Sequence, residues 1–434
     1  MRNVIGEIIK DFQGSDPQTL TIRDISVPEL PERVNKPFAF IGMRRVGKTF
    51  LMYQILQECL AQGIPKEQII YINFEDERLE DLTVEKLHLI TDVHSELFPM
   101  SAGKRRYLFL DEIQTVNQWE KFVRRTVDNE DIRVYLTGSS SKMLSTEIAT
   151  SLRGRSLSFE VSPFSFPEYL KHFDIEFPRH PHSKLIALLK NRFREYIVTG
   201  GFPETIGLSE DLRIHILQEY VNVAMHRDIV ERHQVKNPEA LKALVKFMLD
   251  NAAGLFSVNK AYNVFRSQGR SVSKDSLYRY LDYVQDAFLL FPVELYAHSK
   301  NKRAANPKKL YTVDPGLITA FSWKFSRDMG ALLENAVYCE LRRRFEQINY
   351  YKTGSGKEVD FICISPKTDV SLFQVSVDVE NPATLERETR ALVEAMDELD
   401  MKEAVLINLD DKRDLKHGNK TIHVLPAYTW FLNF

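Results

Sequence analysis

Short apolar runs recur through the first third of the chain, and stretches of helical period separate them. Residues 37–41, 68–74, 106–112 and 133–140 are the runs, and each has the length of a buried strand. Residues 50–56, between the first two runs, read as a helix. Strands alternating with helices predict a parallel sheet covered on both faces. Residues 27–31, with Pro28 and Pro31, read as a loop leading into the first strand. Over residues 183–232 the pattern turns helical: Leu185, Leu188, Leu189, Phe193, Tyr196 and Ile197 recur at three- and four-residue steps. Three more helices follow, over 240–249, over 258–265, and over 273–281 with Ser273 as its cap. The apolar segments 288–291 and 309–313 then read as a two-stranded wing, which makes residues 236–325 a winged helix. In the last hundred residues, Glu334 lies on a helix with Leu333, Val337 and Leu341. Strands are expected over 358–362, after the glycine turn 354–356, and over 372–377.

Composition narrows the class. A chain of 434 residues has material for two to four domains. Charged residues at 27% and hydrophobic residues at 44% describe a globular protein. The formal net charge of −2 argues against a protein-wide nucleic-acid footprint and leaves a local basic patch open. Three cysteines, Cys59, Cys339 and Cys363, lie far apart without metal spacing, as expected of a reducing cytoplasm. Glu7 interrupts the place where a signal peptide has its apolar run. No stretch approaches the roughly 20 apolar residues that span a bilayer, so no membrane partner is expected.

The first strand runs into Gly42-Met43-Arg44-Arg45-Val46-Gly47-Lys48-Thr49, which fits G-x-x-x-x-G-K-[ST]. Gly42 and Gly47 let the backbone approach a polyphosphate, and the amides of the loop and of the helix start point at the anion. Arg44, Arg45, Val46 and Phe50 complete the expected nucleotide-binding segment. Lys48 brings positive charge to the outer phosphates, and the Thr49 hydroxyl is a ligand for Mg²⁺. Asp111 and Glu112 close an apolar strand, where α/β sheets place ligands. Asp111 is expected to support Mg²⁺, and Glu112 to orient or deprotonate the attacking water. Thr137, Ser139 and Ser140 close the next strand with hydroxyls, which either sense the γ-phosphate or cap a turn.

These motifs, in this order, resemble prokaryotic AAA-type (AAA+) ATPases. The likeness continues through Leu152-Arg153-Gly154-Arg155, Pro163-Phe164-Ser165-Phe166-Pro167-Glu168-Tyr169 and Gly200-Gly201-Phe202-Pro203-Glu204. It implies a P-loop core with the AAA strand order over 1–182, a helical lid over 183–235, and ATP and Mg²⁺ as substrate and cofactor. Pro203 would pack on adenine, as in the Gly-x-Pro element of related ATPases, or else the segment is a loop between helices. Arg153 or Arg155 would reach the γ-phosphate of its own or a neighbouring subunit, or else lie on the surface against an acid. His226-Arg227-Asp228 imitates a kinase triplet, but His233 stands where a kinase has asparagine, so a charged helix face is the reading.

In the same resemblance, residues 326–434 correspond to a domain of unknown function related to PD-(D/E)XK nucleases. Such a site carries an acid on a helix (Glu334), an aspartate on a strand (Asp360), then [E/Q]-x-K. Here that last element is Gln374-Val375-Ser376. Gln374 can still offer a carbonyl oxygen to a hard cation, but Ser376 carries no charge. Lys357 is near in sequence, yet strand alternation aims it away from Asp360. A degenerate nuclease fold serving as a binding module is therefore expected. In the winged helix, Lys274, Tyr278 and Arg279 face a DNA groove, and Lys300, Lys302, Arg303, Lys308 and Lys309 hold phosphates, or else the module only packs. The fold expected is thus α/β: a P-loop NTPase sheet with a helical lid, a winged helix, and a small α/β nuclease-like domain. The function expected is Mg²⁺-dependent ATP hydrolysis driving the C-terminal domains. The alternatives are a slow nucleotide switch for protein or DNA binding, and an ATP-regulated nuclease. Self-association or a protein partner remains open.

Overall fold

Four consecutive apolar residues between Pro37 and Gly42 form the first strand, β1 (Phe38–Ile41), and all four are buried. The computed structural model describes residues 1–16, 19–31, 34–101, 103–139, 156–321, 328–365 and 369–433. The chain divides into two compact units, residues 1–162 with 286–288, and residues 163–285 with 289–434.

In the first unit, β2 (Ile69–Asn73), β3 (Arg106–Asp111), β4 (Ile132–Gly138) and β5 (Leu157–Glu160) join β1 in one sheet of order β2-β3-β4-β1-β5. Every pairing is parallel. The first four strands are those expected from the apolar runs. The edge strand β5 was not, because its four residues are only partly buried and carry no apolar run. β4 is buried along its whole length, as a strand covered on both faces must be. Phe38 stacks on Tyr135 at 5.2 Å, and Phe109 stacks on the same ring at 4.7 Å. Phe38, Phe40 and Phe109 are wholly buried, each contributing about 1.5–3 kcal/mol. The helix Lys48–Ala61 begins inside the glycine loop. A helix over Arg2–Gly14, unmarked in the sequence reading, buries Ile5, Ile8 and Ile9.

The second unit opens with the helix Phe166–His172, whose Ser165 and Glu168 form a reciprocal capping box. The helix Ser183–Thr199 follows, then Glu210–Val223, which widens into a π-helix over Ala224–Glu231 where a regular helix was expected. Three helices, Pro238–Leu249, Val258–Ser267 and Lys274–Asp286, fall at the expected positions. Ser273 accepts from the Ser276 amide at 3.1 Å, as its expected capping role requires. β6 (Leu255–Phe256), β7 (Leu290–Val293) and β8 (Lys308–Thr312) form an antiparallel sheet with β8 in the middle.

Beyond residue 328, the helix Met329–Arg344 leads to β9 (Gln347–Lys352), β10 (Glu358–Ile364) and β11 (Val370–Val375). The helix Pro382–Glu398 precedes β12 (Glu403–Asn408), β13 (Arg413–His417) and β14 (Lys420–Pro426). The sheet order is β13-β14-β12-β11-β10-β9, and β12 is parallel to both neighbours. Its core gathers Val359, Ile362, Leu392, Met396, Leu406 and Val424. Buried Asn335 ties the long helix to β8: its Oδ1 accepts from Thr312 N at 2.8 Å and its Nδ2 donates to Thr312 O at 3.3 Å. No described helix is long and apolar enough to cross a membrane.

Candidate functional site

β1 and β3 end on the same side of a parallel sheet, so the loop after β1 and the acids after β3 meet beyond its carboxyl edge. The Thr49 hydroxyl donates to Asp111 Oδ2 at 2.7 Å. Lys48 Nζ lies 3.3 Å from Glu112 Oε1, and it also donates to the Gly42 and Met43 carbonyls at 3.2 and 3.1 Å. The glycine loop and the acidic pair therefore share one site. Gly42 has no room for a side chain, because a Cβ there would meet the Val161 carbonyl oxygen at 2.1 Å. Arg45 and Gly47 take left-handed backbone, with φ of 69° and 96°. Arg44 donates to Glu75 at 2.7 Å, Val46 is buried, and Arg45 and Phe50 are exposed.

Three hydroxyls converge on Asp111. Tyr71 donates to Oδ2 at 2.9 Å, beside Thr49, and Thr137 donates to Oδ1. Thr137 also accepts from the Glu112 amide at 2.8 Å. Glu112 holds φ at 55°, a conformation that side chains resist and that collects at functional sites. The neighbouring carboxyls are tuned apart. Burial raises the pKa of Asp111, against the lowering by its hydroxyl partners. Burial also opposes charge on Glu112, but Lys48 and Arg44 outweigh it and hold that carboxyl below its usual range. Ser139, at the end of β4, is buried. Arg153, Arg155 and Ser140 lie outside the described residues.

Two residues here escaped sequence reading. Arg23 crosses beneath the loop, donating to Val46 O at 2.9 Å and to Ser162 O at 2.7 Å. Its amide donates to Gln54 Oε1 at 2.8 Å. It comes from a stretch without regular structure, and no motif marks it. Tyr71 was read only as part of a strand.

Pro203 opens a short 3-10 turn, Pro203–Thr205, in the second unit. The glycines before it pack closely. Gly201 N donates to Asp314 Oδ2 at 2.7 Å, and a Cβ on Gly201 would meet Phe164 O at 2.3 Å. Gly316 N donates to Asp314 Oδ1 at 2.8 Å, and burial pushes this carboxyl up to about 6.

The second unit holds another cluster, which corrects two expectations. Lys309 is buried rather than free for DNA phosphates. Its ammonium lies 2.9 Å from Glu334 Oε1, 2.9 Å from Glu358 Oε1 and 2.8 Å from Asp360 Oδ1. Gln374 is not open to a cation, because its Oε1 accepts from Asp360 N at 3.1 Å and its Nε2 donates to Glu388 at 2.6 Å. Lys308 pairs with Glu294 at 2.9 Å. Lys357, just before β10, pairs with Glu394 and lines the same cleft as Asp360. Ser376 Oγ donates to the Asp378 carbonyl at 3.3 Å. Tyr311, two residues along β8 from Lys309, donates to the same Glu334 oxygen at 2.7 Å. Burial and the nearby Asp360 push Glu334 up to about 7. A cleft of about 530 Å³ borders the cluster, lined in part by Asp360, Gln374, Arg387 and Glu388. The alternation that puts Lys309 and Tyr311 on one face of β8 was the available signal for this lysine.

Comparison with known proteins adds the following. Three family models match in succession: an AAA domain over residues 34–170, Domain of unknown function DUF8612 over 190–328, and Domain of unknown function DUF4143 over 329–430. Uncharacterized protein MJ1544 of Methanocaldococcus jannaschii is 34% identical over 428 residues, covering 95% of this chain and 91% of its own. An uncharacterized protein of Haemophilus influenzae is 32% identical over 339 residues, covering 78% of this chain and 82% of its own. Among solved structures, the Aeropyrum pernix ORC1 protein in complex with DNA is 11% identical, with 78% of this chain and 93% of that chain covered, at a TM-score of 0.30. The ADP form of the Aeropyrum pernix ORC2 protein is 11% identical, with 67% and 92% covered, at a TM-score of 0.33. Scores this low carry no argument about role.

Proposed function

The chain belongs to the same family as MJ1544, with an AAA domain ahead of two domains of unknown function, and on that premise we propose that its first unit hydrolyses ATP with Mg²⁺. One observation carries the reading: the Thr49 hydroxyl touches Asp111 while Lys48 touches Glu112, which joins the phosphate loop to the acidic strand end. The donor set at Thr49 and Asp111 is hard oxygen, which fits Mg²⁺. When bound, Mg²⁺ neutralises charge on the phosphate oxygens. Lys48 turns from the loop carbonyls to the outer phosphates, and the loop amides with Arg44, Arg45 and Phe50 line the nucleotide. Glu112, kept ionised by Lys48 and Arg44, orients water for attack and receives its proton. Ser139, just past β4, reads the γ-phosphate, while the one Thr137 proton fixes the Asp111 carboxylate. Arg153 or Arg155 supplies the further positive charge to the γ-phosphate of its own or a neighbouring subunit; turnover per chain that rises with protein concentration marks the second case. The three buried, unbridged cysteines suit a reducing cytoplasm.

The second unit is the output in this reading. Residues 236–325 serve as a winged helix, with exposed Lys274, Tyr278 and Arg279 available to DNA. Residues 326–434 serve as a nuclease-like module that binds rather than cuts. Ser376 lacks the charge, and Gln374 and Lys357 are committed elsewhere.

Steady-state ATP turnover tests the reading. Lys48→Ala is expected to lose nucleotide affinity and turnover together. Glu112→Gln is expected to keep MgATP binding and lose turnover by about a hundredfold or more. Wild-type rates in both variants would remove the assignment. Coupling is read by tryptic digestion of the Glu112→Gln chain with and without MgATP: an unchanged pattern across residues 163–434 would exclude it.

A further inference from the structure

The acidic cluster of the second unit already contains a cation, and the chain supplies it. Oxygens of Glu334, Glu358 and Asp360 all fall within 2.9 Å of the Lys309 nitrogen. Carboxylates brought so close repel one another strongly in a buried setting unless a positive charge lies between them. Lys309 is 3% exposed, and burial disfavours its charge, but the surrounding acids outweigh burial and keep it an ammonium.

The oxygens that face Lys309 already hold donors. Glu334 Oε1 takes both Lys309 and Tyr311. Asp360 Oδ1 takes Lys309, and Oδ2 takes the Val375 amide at 2.9 Å. A hard divalent ion would need these same oxygens at roughly 2.0–2.1 Å, with no ammonium beside it. The ammonium and such an ion compete for one seat. Nor is Lys309 a mobile surface side chain: it pairs in register with Leu255 of β6 and Val293 of β7, at the centre of its sheet.

We propose that Lys309 is a built-in counter-cation that keeps Mg²⁺ and Mn²⁺ out of the Glu334–Glu358–Asp360 seat. This inference rests on the second unit alone and stands whatever the first unit does with ATP.

The test uses the whole chain without nucleotide and counts bound Mn²⁺ from the spin-resonance signal of the free ion. Wild type and Asp360→Asn are expected to bind the same number. Lys309→Met, close in shape but uncharged, is expected to bind one Mn²⁺ more than Lys309→Met/Asp360→Asn. Bare carboxylates can destabilise the single variant, so Lys309→Met/Glu334→Gln is measured beside it, with the same gain expected through Glu358 and Asp360. A Mn²⁺ lost from wild type on Asp360→Asn would overturn the proposal, because metal would then coexist with the lysine. No gain in whichever lysine variant melts like wild type would overturn it too, because the cluster would then be no cation seat.

Discussion

Replacing Thr137 by valine keeps the shape of the side chain and removes one hydroxyl that serves both acids. That hydroxyl donates to Asp111 and accepts from the Glu112 amide at 2.8 Å. A hydrogen bond to a charged group contributes about 1.5–3 kcal/mol. Losing that donor therefore raises the Asp111 pKa further. The sign is definite. Burial already holds Asp111 above the usual range, and the role proposed for it, supporting Mg²⁺, needs its ionised form. Activity therefore falls as pH drops through its pKa, and in Thr137→Val the fall begins at higher pH. Tyr71→Phe removes a different donor to Asp111, at 2.9 Å, and moves the limb in the same direction. It leaves the Glu112 amide paired, so Thr137→Val alone also carries the penalty of an unsatisfied buried N–H, about 1–3 kcal/mol. The assay is kcat/KM for ATP across about pH 5 to 9 for the three proteins, with thermal melts alongside. Acid limbs that superimpose would refute the idea that these hydroxyls set the charge of Asp111.

Other perturbations follow from the same geometry. Arg23→Met strips two carbonyls of their donor, Val46 O and Ser162 O, and is expected to destabilise the first unit by about 2–4 kcal/mol and weaken MgATP binding in calorimetry; unchanged affinity would remove Arg23 as a prop of the loop. Gly201→Ala drives a methyl against Phe164 O and is expected to lower the melting of the second unit at a cost of about 1–3 kcal/mol or more; a wild-type melt would show that the contact yields freely. Asp314 is raised from its ordinary 3.8 to about 6, so the folded chain holds this proton more tightly than the unfolded one. Its stabilising contribution is complete below pH 3.8 and is lost as pH rises through about 6, up to about 3 kcal/mol in all. Asp314→Asn should flatten that part of the melting profile, and parallel profiles for variant and wild type would contradict it.

What could be read from the sequence was what lies close along the chain. The loop from Gly42 to Thr49 is one contiguous segment, and Asp111 and Glu112 end a strand whose apolar run is unmistakable. A parallel sheet then brings the two together almost of necessity. Tyr71 and Arg23 could not be read in this way, because their roles depend on side-chain direction and on an irregular crossing that no periodicity encodes. The acidic cluster failed for the same reason. Its lysine comes from 25 residues before Glu334 and 51 before Asp360, in a strand of another sheet. Sequence proximity offered Lys357, which pairs with Glu394. The strands β5 and β13 were missed because partly exposed short strands carry little apolar pattern.

The join between the two domains of unknown function, at residues 328 and 329, is bridged by buried polar contacts. Lys309 lies on one side of it and its acids on the other, and Asn335 reaches back across it to Thr312. Arg343, also past the join, donates to the Pro163 carbonyl at 2.9 Å. Halves like these must be inherited together. A recombinant that took one from a distant cousin would bury an ammonium or a carboxylate without its mate, so descent should keep this pair in step although the sequence models describe it as two modules.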